Sequence, residues 1–121
     1  HLSIYGDDYD TLDGTGVRDY IHVMDLARGH VLALKKLEKE RSGLFIYNLG
    51  MGKGVSVLEM VETFKRVNKV DVPYKIVSRR PGDIATCYSD PTKAREELGF
   101  TCEKTLEDMV RSAWNYEHKN I

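Results

Sequence analysis

The stretch from Gly14 to Asp25, GTGVRDYIHVMD, restricts the possible folds of this chain more than any other. Two glycines loosen the backbone at its start, and Val17, Tyr20, Ile21 and Val23 suit a buried strand. Arg18, Asp19, His22 and Asp25 are interleaved with them, and polar groups buried in that way need partners. A segment so composed is a binding site or a buried hydrogen-bond network. Asp25 reads as the N-cap of the following helix, LARGHVLALKKLEKE, so the same stretch sets where the next element begins.

Around it, apolar residues switch between strand and helix periods. Leu2 to Tyr5 reads as a short strand, and GDDYDTLDGTG after it as a polar loop. A helix is predicted from Leu26 to Lys39, with Leu26, His30, Val31, Leu34 and Leu37 on one face and Ser42-Gly43 at its end. LFIYNL, residues 44 to 49, has strand length. Ser56 and Glu59 form a capping box for a helix whose stripe is Val57, Met60, Val61, Phe64 and Val67. YKIVS is a strand, Asp90-Pro91 opens a short helix that Gly99 stops, and Thr105 caps a last helix with Leu106, Met109, Val110, Ala113 and Trp114 facing a core. The alternation predicts one α/β or mixed α+β unit of 121 residues.

Charge narrows the function. The 18 Lys+Arg against 19 Asp+Glu leave no basic excess for a nucleic-acid footprint. Gly43 to Gly52 is too short to span a bilayer and no signal-peptide pattern opens the chain, so no membrane and no nucleic-acid partner is expected, and the cytoplasm is the expected location. Cys87 and Cys102 form neither a CxxC pair nor a disulfide framework and read as free thiols. The four histidines lack metal-site spacing. Gly50, Gly52 and Gly54 imitate a dinucleotide loop, but Val55 stands where the pattern continues and Asp71 precedes a strand instead of ending one, so a plain connector is the better reading.

Arg18 and Arg80 are the candidates for anion binding, since an arginine fork holds phosphate oxygens through charged hydrogen bonds. The competing reading pairs Arg18 with Asp19 or Asp25 and leaves Arg79 and Arg80 solvated. Asp83 follows Pro81-Gly82 and reads as a turn residue, Tyr5 as a half-buried strand residue, Cys87 as a small apolar one, and Asp19 and His22 as a satisfied buried network. No nucleophile with motif support is visible.

In order along the chain, LSIYGDDYDTLDGTGVRDYIHVMDLARGHVLAL, IYNLGMGKGVSVLEMV and SRRPGDIATCYSDPTKAREELGF resemble the C-terminal, substrate-binding part of the UDP-glucose 4-epimerases, which belong to the extended short-chain dehydrogenase/reductase group. The resemblance implies a mixed α+β lobe over a Rossmann-type NAD(P)-binding domain that residues 1–121 do not include. It implies an isomerase of galactose metabolism that interconverts UDP-glucose and UDP-galactose with tightly held NAD, as a homodimer. Arg18 and Arg80 are then the pyrophosphate contacts, Asp83 faces the ribose, and Ser3, Ile4 and Tyr5 lie along the uracil. Cys87 forms part of the wall around the hexose, where a small side chain accompanies room for an N-acetylated sugar.

The catalytic Tyr-x-x-x-Lys pair of that group has no match. Four residues beyond the seven tyrosines stand Tyr9, Asp13, Met24, Met51, Ser78, Thr92 and Asn120. The expectation is therefore a fragment that supplies UDP-sugar contacts, is inactive alone and leaves NAD to the rest of the enzyme; a start at His1, directly in a strand, agrees. A UDP-sugar decarboxylase or dehydratase, or a stand-alone UDP-binding or scaffold module, are the alternatives. RDYIHVxDLAxGH with IYNLG and RRxGD favours the epimerase.

Overall fold

Residues 1–119 are described by a computed structural model. Their order is β1 (Leu2–Tyr5), β2 (Val17–Arg18), α1 (Val23–Glu40), β3 (Val55–Ser56), α2 (Val57–Asn68), β4 (Tyr74–Val77), β5 (Thr86–Cys87), α3 (Thr92–Leu98) and α4 (Leu106–Lys119). The mixed α/β character expected from the sequence is what is found.

Two small sheets organise the chain. β1 and β4 run parallel, with Ile4 opposite Ile76 and Tyr5 opposite Val77. β2 lies between β3 and β5, antiparallel to the first and parallel to the second, so that Arg18 faces Val55 on one side and Cys87 on the other. Each sheet joins a strand that precedes α1 to strands that follow it. Ile4, Tyr9, Val55, Val61, Ala94, Phe100 and Val110 are buried, and α2 packs on α4 through an edge-to-face pair of Phe64 and Trp114, 5.8 Å between centroids.

The caps read from sequence at the later helices are present. Ser56 Oγ accepts from Glu59 N at 3.0 Å, Gly99 takes the left-handed C-cap of α3, and Thr105 and Asp108 bond reciprocally at the start of α4.

Around α1 the structure corrects the sequence reading. The strand expected across Val17 to Val23 is only Val17–Arg18, because Asp19 turns away to bond the loop at Met51 and Gly52. The helix starts at Val23, and its N-cap is His22, whose Nδ1 accepts from Met24 N; Asp25 is not the cap. Asp25 lies in the first turn, 1% exposed, and its oxygens accept from Glu103 N, Lys104 N and Arg28. It ties α1 to the segment ahead of α4.

The face of α1 that rests on the protein is not its leucine stripe. Gly29 is buried, and a Cβ there would fall 2.6 Å from Leu49 Cδ1, so the helix approaches closely at its smallest residue. Leu26, Val31, Leu34 and Leu37 point outward. Nor is LFIYNL a strand among the described residues: Leu44 is 85% and Ile46 66% exposed, and no neighbouring strand bonds to the segment. A run of strand-forming residues becomes a strand only where a ladder partner is available.

Candidate functional site

Parallel pairing of β1 with β4 brings the loop after β4, SRRPGD, to the end of β1, where Gly6 N donates to Val77 O at 2.9 Å. The two consecutive arginines then part. Arg79 bonds Asp8 through Nε at 2.8 Å and lies 4.1 Å over the Tyr9 ring. Arg80 turns the other way, stacks 4.8 Å over the Tyr5 ring and donates from Nε to Asp83 at 2.9 Å. The hydrogen bond and charge of Asp83 hold the Arg80 guanidinium above its ordinary pKa.

Arg18 reaches the same place from β2. Its Nη1 donates to the carbonyl of Val17 at 2.7 Å, and among the described residues it has no carboxylate partner. The pairing with Asp19 or Asp25 does not occur, since both carboxylates are committed elsewhere. Asp19 accepts from Met51 N, Gly52 N, Ser89 N and Ser89 Oγ, and Asp25 serves α1 as described. Asp19 and His22 are structural, as the sequence suggested; His22 Nε2 lies 3.0 Å from Ser112 Oγ.

A cleft of about 270 Å³ lies between these elements. Ser3, Ile4, Tyr5, Arg18, Arg80 and Asp83, six of the seven residues singled out from sequence, all line it. Two guanidinium groups and one carboxylate line it, with the Tyr5 ring beside Arg80, which suits a planar group joined to an anion. The seventh, Cys87, is exposed on β5 in register with Arg18 but is not part of the lining.

The cleft also contains residues that the sequence reading passed over. Tyr9, Tyr20 and Val57 line it. Tyr20 belongs to the run that reads as a strand; burial raises the pKa of its hydroxyl, and the opposing charge of Arg18 does not cancel the rise. Its position two residues beyond Arg18 was the available signal. Tyr9 had a weaker one, as an aromatic in an otherwise polar loop. A larger groove of about 700 Å³, between the start of α1, α2 and α4, is walled by Met60, Phe64, Met109 and Val110 and carries no arginine.

The glycine loop does not fit a dinucleotide. Its amides at Met51 and Gly52 already donate to Asp19, and a Cβ at Gly50 would lie 2.2 Å from Ser89 Oγ and 2.4 Å from Asp19 Oδ2. The close approach that glycine permits at Gly50 is filled by Ser89 and Asp19, and the Met51 and Gly52 amides are already used inside the protein. Among the described residues there is no cluster of potential metal ligands, and no helix is long and apolar enough to cross a membrane.

A sequence model of the GDP-mannose 4,6 dehydratase family matches residues 1–113. The UDP-glucose 4-epimerase of Pasteurella multocida is 58% identical over 119 residues, which are 98% of this chain and 35% of that protein. The crystal structure of a UDP-glucose 4-epimerase from Stenotrophomonas maltophila with bound NAD and formylated UDP-arabinopyranose superposes with a TM-score of 0.95 at 47% identity, over 99% of this chain and 35% of its own. That of the Bifidobacterium longum enzyme with NAD+ and UDP gives 0.91 at 53% identity, over 98% and 35%. The chain thus spans about a third of the length of the relatives it matches.

Proposed function

The chain belongs to the GDP-mannose 4,6 dehydratase family and corresponds to the C-terminal part of its UDP-glucose 4-epimerases, and on that premise we propose that it is the portion of such an epimerase that grips the UDP of the substrate. The observation that carries the reading is the convergence of Arg18 and Arg80 on one cleft, where among the described residues Arg18 has no carboxylate partner and the carboxylate partner of Arg80 is Asp83.

In this reading Arg18 and Arg80 clamp the pyrophosphate, Asp83 accepts from a ribose hydroxyl, and Ser3, Ile4 and Tyr5 flank the uracil. Arg80 exchanges its bond to Asp83 for one to a phosphate oxygen, so each partner is released for the ligand by the same movement. NAD supplies the hydride chemistry in the whole enzyme. It is bound by the N-terminal part, since the loop at Gly50 is closed by Asp19 and residues 1–121 lack the Tyr-x-x-x-Lys pair. The outward leucines of α1, with Leu44 and Ile46, are where that part packs. The whole enzyme is proposed to interconvert UDP-glucose and UDP-galactose as a cytoplasmic homodimer.

Calorimetric titration of the folded chain with UDP, beside an Arg80→Ala variant, tests the site. A drop in affinity of tenfold or more, about 1.4 kcal/mol, is expected; equal affinities would refute the clamp. Cys87, beside Arg18, is proposed to leave room for an N-acetylated hexose. In the whole enzyme, Cys87→Tyr is expected to lose turnover of UDP-N-acetylglucosamine while keeping that of UDP-glucose, and unchanged turnover of both would remove the assignment.

A further inference from the structure

Tyr9 has no part in the reading above, yet its hydrogen bonding is incomplete. It is 8% exposed, and its hydroxyl is buried without a hydrogen-bond partner among the described residues. A phenol oxygen removed from water with nothing to bond is costly, and native structures rarely keep one without a use.

Nothing about its setting is loose. Tyr9 N donates to Gly14 O at 2.9 Å, and Gly14 sits at φ +84, where a Cβ would be 1.9 Å from Asp7 O. Arg79 covers the ring from one side and is itself held by Asp8. Tyr9 also lines the cleft, which Tyr5 and Arg80 line as well. A phenylalanine would serve every contact this ring makes; only the hydroxyl is left over.

We propose that Tyr9 is a ligand-binding residue whose hydroxyl donates to an oxygen of the nucleoside diphosphate in the cleft. The proposal rests on the UDP reading of that site. A diphosphate that draws Arg80 away from Asp83 supplies an oxygen to the Tyr9 hydroxyl, and the missing bond is made on binding. Arg79 and Asp8 act through Tyr9 as its positioning pair, which gives the first arginine of the pair a role distinct from that of the second.

The test compares Tyr9→Phe with the unaltered chain in two measurements, thermal unfolding without ligand and calorimetric titration with UDP. The variant is expected to unfold at the same temperature or higher, because it discards an unsatisfied group, and to bind UDP at least threefold more weakly. Affinity reduced by less than threefold, or a ligand-free variant that unfolds well below the parent, overturns the proposal. Arg80→Ala, titrated alongside, separates the two ideas. If it weakens UDP while Tyr9→Phe does not, the Tyr9 assignment alone falls; if the folded parent chain does not bind UDP, the site reading falls and takes this one with it.

Discussion

Asp13 shows how single residues prepare the cleft without touching it. Its Oδ1 accepts from Thr15 N and Thr15 Oγ1, and its Oδ2 from Ser56 Oγ at 2.5 Å, so one carboxylate pins the loop before β2 to the N-cap of α2. Burial pushes its pKa up, but the bonds from Ser56 and Thr15 outweigh that and leave it lowered. A carboxyl with a folded-state pKa below its unfolded one binds more protons when unfolded. Its contribution is therefore present above the ordinary carboxylate value and lost as pH falls through the lowered one. Asp13→Asn is expected to flatten the acid limb of a stability-against-pH curve measured by urea unfolding; an identical limb would show that the bonds are incidental.

At the level of elements, α2 and α4 form the main helix pair, and Trp114 is central to it. It meets Phe64 edge to face and His118 at 4.1 Å, and Asn68 Nδ2 donates across the pair to Val110 O. Trp114→Ala is expected to cost about 2 to 3 kcal/mol, below the usual range of about 3 to 5 for fully buried large aromatics because the ring is only half buried. For a chain of this size that is a fall of roughly 10 °C in Tm. A change of a degree or two by calorimetry would mean that the pair does not support the fold. Both helices are legible in the sequence because a capping residue, Ser56 or Thr105, stands directly ahead of an apolar stripe. α1 was not, for a physical reason: its leucines advertise a face that this chain does not cover, while the face it does cover is organised by Asp25 and Gly29. The cleft was legible through its charged residues, with Tyr5 beside them. Tyr9 was not, since an unmet hydroxyl is visible only in three dimensions, and neither was the place of Cys87 outside the lining.

For the molecule as a whole, the pairing of the two sheets has a mechanical consequence. β1 and β2 come before α1, and the strands they pair with, β4, β3 and β5, all lie from residue 55 onward. Between the halves runs an exposed connection, from the left-handed Arg41 through Leu44. A specific protease site inserted between Ser42 and Gly43 and then cleaved is expected to give two pieces that co-elute under native conditions and separate only in denaturant. Separation without denaturant would show that the short ladders do not hold the halves. The polypeptide can then be severed after α1 without being taken apart, and the two pieces, made as separate chains, should find each other and rebuild the cleft between them.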